Sequence, residues 1–478
     1  MLTYDLTHNG DTPLYEYLYR CIKEDITGEN LIAGQKLPSK RTFAKNLGVS
    51  VITVENAYEQ LIAEGYIYSV PKSGYFVMEL NKTFEQPEEV KEQTKENEII
   101  PAEIEEEQYI ADFTSNQTPH DLFPFGSWAK VIREVLNDSR IQLMTNSPWG
   151  GVLALRESIA KYLKEFRGMN VVPEQIIIGA GTEYLYGQLI KLLGTDKSYA
   201  VENPGYGKIS KIYNSYKVAC SYIDMDKDGI IVDELEKKKV DIMHISPSHH
   251  FPTGIVMPIS RRYELLGWAA KSDKRYIIED DYDSELRLSG QPIPTLQSID
   301  VSDKVIYMNT FTKTLASTVR IGYMVLPKPL LKRYIDKLSF YSCTVSNFEQ
   351  YTLARFMEEG GFEKHINRMR NHYHKKRDLI LNSIEKSRLK KHVQISGQEA
   401  GVHFLMQIDT KLSDEDFVGA AKKRGVKLAP LSTYYYENQE MVQHTFVINY
   451  SSIPLDRIEE VVEIISAIVD NASSDVNG

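Results

Sequence analysis

Residues 34–68 read GQKLPSKRTFAKNLGVSVITVENAYEQLIAEGYIY, and their punctuation divides them into two short helices and the start of a strand. Pro38 breaks the chain, and Ser39 is placed to cap a helix running through Leu47. Gly48 ends that helix, and Ser50 is placed to cap a second one that runs to about Glu64. In this second helix Val54, Ala57, Tyr58 and Leu61 share one face, which leaves Thr53, Asn56 and Gln60 toward solvent. Upstream, Leu14, Tyr17, Leu18, Cys21, Ile22 and Ile26 recur at helical spacing between Pro13 and Gly28. Downstream, residues 66–70 and 75–78 read as strands joined by a turn at Lys72-Ser73-Gly74.

Three helices followed by a β-hairpin are the parts of a winged helix-turn-helix. In that arrangement the second helix of the motif enters the major groove with its N-terminal turn nearest the bases. Thr53 and Asn56 are then candidates for base edges, while Lys40, Arg41, Lys45 and the wing Lys72 suit phosphate contacts that position without reading sequence. A three-helix protein-interaction module is the competing reading of the same pattern. The stretch 34–68, with SGYFV at 73–77, resembles the DNA-binding signature of the GntR family of bacterial regulators. The family usually has an arginine opening the recognition helix, where this chain has Val51.

At 478 residues and 42% hydrophobic composition the chain can bury a large core in two or three domains. A formal net charge of −10 would ordinarily disfavour nucleic acid. Between Glu79 and Gln108, however, eleven acidic residues face three lysines, so one segment carries eight of the ten excess negative charges. Its prolines, its lack of glycine and its like charges predict an extended linker, with a solvated charged helix as the alternative. The remainder is close to neutral, which leaves room for a local basic face. Cys21, Cys220 and Cys343 form no CxxC pair and suggest neither a disulfide framework nor a zinc ribbon. The N-terminus does not read as a secretory signal and no apolar run approaches a membrane span, so a cytoplasmic location is expected.

Beyond residue 108, short apolar runs at 175–180, 199–201, 218–222, 241–245, 275–280, 305–309 and 321–326 alternate with helical patterns such as 184–193 and 261–272. This predicts an α/β domain with a largely parallel sheet covered on both faces, whose ligands sit at the carboxyl ends of the strands. Three constellations fall there. Gly179-Ala180-Gly181-Thr182 follows a strand and opens a helix, as a phosphate cradle or an ordinary tight turn would. In Ile277-Ile278-Glu279-Asp280-Asp281-Tyr282-Asp283, strand alternation points Asp280 and Tyr282 together and Asp281 away. A carboxylate and a phenol so placed could serve a pyridine nitrogen and a ring hydroxyl, or they could be an acidic strand end in solvent. Asn309-Thr310-Phe311-Thr312-Lys313-Thr314-Leu315, with Arg320 beyond, offers an amine for a Schiff base and hydroxyl and guanidinium groups for a phosphate.

The order and separation of these three runs resemble the fold type I aminotransferases, from about Ile110 to Val469. The runs LFPFGSW (122–128), LRESIAKYLKEFRG (155–168), ENPGYG (202–207), PSHHFPTG (247–254) and EDDYDSELR (279–287) resemble more narrowly the MocR/GabR-type subfamily, in which a GntR reader is fused to this fold. The resemblance implies an N-terminal α+β winged helix-turn-helix at 1–79, an acidic linker at 80–108, and an α/β pyridoxal 5′-phosphate (PLP)-dependent transferase fold type I domain at 109–478. It further implies that Lys313 forms the Schiff base with PLP, that Asp280 pairs with the pyridine nitrogen and Tyr282 with the ring hydroxyl. Gly181, Thr182, Thr310, Thr312 and Arg320 would then hold the phosphate, and Tyr206 would lie near the ring. The partners it implies are a double-stranded DNA operator, a small amine or amino-acid effector, and a second copy of the chain.

Three departures bear on function. Phe251 stands where many aminotransferases have asparagine, so a ring-oxygen contact is absent or comes from His249 or His250. Lys208 stands where related regulators can have arginine. No arginine occurs between Arg424 and Arg457, although aminotransferases commonly hold the substrate carboxylate from a late strand there. A PLP-dependent transcription regulator that senses an amine, an amino acid or PLP itself is therefore expected, with an active aminotransferase carrying a DNA-binding module as the alternative. His365, His372 and His374 read as a solvated helix face, and no metal site is expected.

Overall fold

A computed structural model describes residues 2–7, 10, 12–80, 109–115, 118–288, 293–436 and 442–474 of the chain. It forms two compact units, Met1–Glu105 and Glu106–Gly478. The expected linker, 80–108, lies outside the described residues from residue 81 on.

In the first unit, α1 (Leu14–Thr27), β1 (Lys36–Leu37), α2 (Lys40–Leu47), α3 (Val51–Ala63), β2 (Ile67–Val70) and β3 (Gly74–Val77) follow in order. The caps act as their residue types predict. Ser39 accepts from the Thr42 amide at 3.2 Å and Ser50 from the Thr53 amide at 3.1 Å, each satisfying an otherwise orphaned helix donor. Gly48 closes α2 in the left-handed region at φ +69, which is why a glycine stands there. Leu18 and Ile22 of α1, Phe43 of α2 and Val54, Ala57, Tyr58 and Leu61 of α3 are fully buried together. The strands pair antiparallel in the order β1-β3-β2. Two-residue β1 was not anticipated, because so short a strand has no periodicity to read.

The second unit is built on an eight-stranded sheet of β4 (Ile176–Gly179), β5 (Ser198–Asn203), β6 (Ala219–Asp226), β7 (Gly229–Ile230), β8 (Ile242–Ile245), β9 (Tyr276–Asp280), β10 (Val305–Thr310) and β11 (Gly322–Val325). Their spatial order is β4-β11-β10-β9-β8-β5-β6-β7. The central pairs are parallel, while β11 runs antiparallel to both its neighbours and β7 antiparallel to β6. All seven apolar runs expected as strands are strands. Because alternate side chains leave opposite faces, Ile176 and Ile178 enter a core with helices Leu153–Arg167 and Asn347–Glu358, while Ile177 enters another with helices Thr182–Leu193 and Lys328–Leu338.

A second sheet, β12 (Val393–Ser396), β13 (His403–Ile408), β14 (Ala429–Pro430) and β15 (Thr445–Asn449), has the order β12-β13-β15-β14 and is antiparallel. It shares a separate core with helices Gly361–Lys386 and Ile458–Ser474. The strand alternation read from sequence covers the first sheet only. Among the described residues no helix is long and apolar enough to cross a membrane, and the three cysteines are free.

Candidate functional site

A cavity of about 270 Å³ opens at the carboxyl ends of the central strands. Thr182, Tyr206, Asp280, Tyr282, Thr310, Thr312, Lys313 and Arg320 all line it, although the chain places them up to 138 residues apart. Gly181 is off the wall and lies behind Arg320. At its φ of +86 a Cβ would come within 2.9 Å of the Arg320 Nη2, so the guanidinium occupies the space that glycine leaves open.

Asp280 ends β9 with one oxygen engaged and one not. The Tyr186 hydroxyl donates to Oδ2, with His244 Nε2 3.5 Å away, while Oδ1 is buried without a hydrogen-bond partner among the described residues. A buried carboxylate oxygen with no partner is costly, which is the signature of a position that a ligand's N–H completes. The next residue shows the other face of the strand. Asp281 is 2% exposed, receives Arg167 Nη2 at 2.7 Å and also accepts from the Tyr307 and Ser284 hydroxyls at 2.7 and 2.9 Å. The acidic strand end is thus buried throughout, which excludes the solvated reading.

Lys313 follows β10. Desolvation pulls its ammonium down to about 8, against the opposing field of Asp283. Beside it the Thr310 and Thr312 hydroxyls lie 2.8 Å apart and the Thr312 amide donates to Thr310 Oγ1 at 3.2 Å. The helix Thr182–Leu193 begins at the cavity wall, so its first amides and positive dipole end face the same space. Glu183 stands there too, taking Lys208 Nζ at 2.5 Å and lying 3.6 Å from Arg320 Nη2. Tyr206 is half exposed and meets Phe251 edge-on at 6.0 Å.

Phe251, Val402, His403 and Asn449 also line the cavity, the last two paired across β13 and β15. Burial holds the His403 imidazole well below its ordinary range, hence uncharged, and its Nε2 has no hydrogen-bond partner among the described residues. Glu202, also on the wall, is pushed up to about 8 by burial and accepts from the Ser246 amide at 3.0 Å, so it too is largely protonated at neutral pH. Neither His249 nor His250 lines the cavity. His249 Nδ1 is 2.8 Å from Asp283 Oδ2, and His250 Nδ1 is 2.7 Å from Thr253 Oγ1, while the Nε2 atoms of both are buried without a hydrogen-bond partner among the described residues.

His403, Glu202 and Tyr186 were missed in the sequence. Tyr186 carried a faint signal, since it lies one helical turn after Thr182 and so on the same face. His403 carried none, because it arrives from the second sheet. His249, Asp283 and His403 place ligand-type atoms within 4.8 Å of one another. The Asp283 carboxylate is already matched by the His249 contact and by the charge of Lys313, which is the arrangement of a hydrogen-bonded dyad. Of the helix histidines expected in solvent, His365 is instead buried, with Nε2 2.7 Å from the Thr314 carbonyl, because it falls on the apolar stripe of Phe362, Ile366 and Met369.

In the first unit Arg41, Asn56 and Lys72 are exposed and Thr53 is half-buried. Lys40 is half-buried, its Nζ 2.7 Å from Glu55 Oε1 and over the Tyr75 ring at 5.6 Å.

Residues 14–77 match the family of bacterial regulatory proteins, gntR family, and residues 109–465 match aminotransferase class I and II. The chain is 39% identical over 430 residues to the uncharacterized HTH-type transcriptional regulator YdeL of Bacillus subtilis, covering 90% of this chain and 91% of that one. It is 30% identical to the probable rhizopine catabolism regulatory protein MocR of Rhizobium meliloti, covering 94% and 92%. The kynurenine aminotransferase of Pyrococcus horikoshii superposes with a TM-score of 0.67 at 25% identity, covering 76% of this chain and 91% of that one. Aminotransferases of this fold use PLP. The chain belongs to the MocR/GabR-type subfamily of GntR regulators, a winged helix-turn-helix joined to a fold type I aminotransferase domain.

Proposed function

We propose that the chain is a PLP-dependent transcription regulator, which binds an operator through its first unit and senses an amine, an amino acid or PLP itself in the cavity of its second. The observation that carries this reading is the convergence of Lys313, the unpartnered Asp280 Oδ1 and the Gly181–Arg320 cradle on one cavity, in a chain that also holds a DNA reader. These are three complementary fittings for an aldehyde, a ring nitrogen and a phosphate.

PLP bound there supplies an aldehyde that condenses with amines and a ring that withdraws electrons. The residues do the rest. Lys313, with its proton loosely held near neutrality, presents a nucleophilic amine. Asp280, its carboxylate fixed by the Tyr186 hydroxyl, would accept a hydrogen bond from the ring N–H and balance its charge. Tyr282, also in the lining, would pair with the ring hydroxyl. Thr182, Thr310, Thr312 and Arg320, the last 3.6 Å from Glu183 Oε1, would hold the phosphate through hydroxyl and guanidinium donors. Tyr206, half exposed on the cavity wall, would lie near the ring.

The alternative of a working aminotransferase needs a guanidinium for the substrate carboxylate. Among the described residues lining the cavity the cations are Lys208, Lys313 and Arg320, and the first and last reach Glu183. With carboxylates in the lining and two of these cations held by Glu183, an amine whose remaining groups are uncharged suits the site better than a dicarboxylate. Ile141 and Met144, more than four-fifths exposed on one helix, supply apolar surface for the homodimer expected of this fold. The proposal places the chain in the cytoplasm, where its DNA partner is.

The test is the absorption spectrum of the full chain loaded with PLP, before and after borohydride, beside Lys313→Ala. A visible band abolished by reduction, a phosphopyridoxyl mass on the Lys313 peptide, and neither in the variant are expected. If the wild-type chain takes up no PLP, or the label falls on another lysine, the reading is wrong. Steady turnover of an amino donor with an oxoacid would favour the enzyme instead.

A further inference from the structure

The first turn of α3 carries two β-branched apolar side chains out to solvent. Val51 is 42% exposed and Ile52 66%, while Val54, Ala57, Tyr58 and Leu61 already fill the core. Exposed aliphatic side chains are ordinary when scattered. Here two are adjacent, on the turn that a helix-turn-helix lays closest to base edges.

The polar groups around them are committed elsewhere. The Thr53 hydroxyl is 2.8 Å from Ser50 Oγ in the helix cap. Glu55 is paired with Lys40, which lies over Tyr75. The first turn of α3 therefore offers no cationic fork for guanine O6 and N7. Its exposed surface matches the one apolar feature of the major groove, the C5 methyl of thymine. Asn56 is exposed one helical turn after Ile52, on the same face, and an asparagine amide pairs with adenine N6 and N7.

We propose that Val51 and Ile52 read thymine methyl groups, so that the operator half-site is specified at its centre by adjacent T·A pairs, with Asn56 on a neighbouring adenine. This rests on the reading of the first unit as the DNA-binding module.

The experiment uses the full chain and a random duplex pool. The enriched sequence is resynthesised with deoxyuridine replacing each thymine in turn, which removes the methyl and leaves base pairing unchanged, and binding is followed by fluorescence anisotropy. Affinity is expected to fall about fourfold at each methyl read, the factor for one buried methyl group. Substitution at other thymines should have no effect. The double variant Val51→Ala/Ile52→Ala, altered only at exposed positions, should bind thymine and deoxyuridine duplexes equally. Val51→Arg should shift the enriched base toward guanine. A guanine-cytosine core in the wild-type selection, or methyl dependence that survives in the double variant, would overturn the proposal. If no sequence is enriched at all, the DNA-binding reading falls with it.

Discussion

Asp280 and Asp281 are consecutive, both are buried at the end of β9, and they have opposite surroundings. Asp281 faces the core beneath the sheet and has a guanidinium and two hydroxyls on its carboxylate. Asp280 faces the cavity and keeps one oxygen without a partner. The difference separates two uses of buried charge. A charge matched by a guanidinium and two hydroxyls, here all on the one oxygen Oδ2, holds the fold at little net gain, because desolvation offsets attraction. A charge left one hydrogen bond short is held in place by the rest of the fold and is completed by a ligand.

The comparison breaks most visibly at Asp281. Asp281→Asn leaves Arg167 buried against a neutral amide and is expected to destabilise the second unit by about 3–5 kcal/mol, the usual cost of orphaning a buried ion pair. Denaturant unfolding followed by intrinsic fluorescence measures it. A loss within 1 kcal/mol, on that same rough scale, would mean that Glu285 or solvent replaces the partner.

Asp280→Asn should do the reverse, with unfolding nearly unchanged and PLP affinity lowered about ten- to a hundredfold, the range for losing one charge-assisted hydrogen bond. Titration of the apo protein with PLP gives the number. If Asp280→Asn instead unfolds the chain, the two carboxylates are not distinct in role.

The smallest effect sharpens the site through Lys313. With its ammonium lowered to about 8, its labelling by added PLP should rise roughly tenfold per pH unit up to that value and then level, whereas an ordinary lysine keeps rising to about 10.4. The sign for stability follows. Between about 8 and 10.4 the unfolded lysine holds a proton that the folded one has released, so the folded apo chain gains stability from Lys313 as pH rises through that window. A labelling profile that climbs past pH 9 would place Lys313 in solvent.

Most of the first unit was legible because its information is local. Ser39, Gly48 and Ser50 each act within one helical turn, and the periodicity of Val54, Ala57, Tyr58 and Leu61 names the buried face directly. The strands of the main sheet were legible for the same reason, as were Asp280 and Lys313, since alternation and strand ends point them to one edge. Of the second sheet only the late strand between Arg424 and Arg457 was read, and it is β15; β12, β13 and β14 were not. His365 was misread as solvated because its neighbours in sequence are charged, while its neighbours in space are the Thr314 carbonyl and an apolar stripe.

The sequence alone determined that a unit of three helices and a hairpin precedes an α/β domain, and which side chains stand at strand ends, because both follow from short-range periodicity and capping. Only the tertiary structure decided which carboxylate is satisfied, that Glu183 engages Lys208 and Arg320, and that His403 and Asn449 of the second sheet join the cavity lining. Those facts depend on desolvation and on partners up to hundreds of residues away, and neither is encoded in any local pattern.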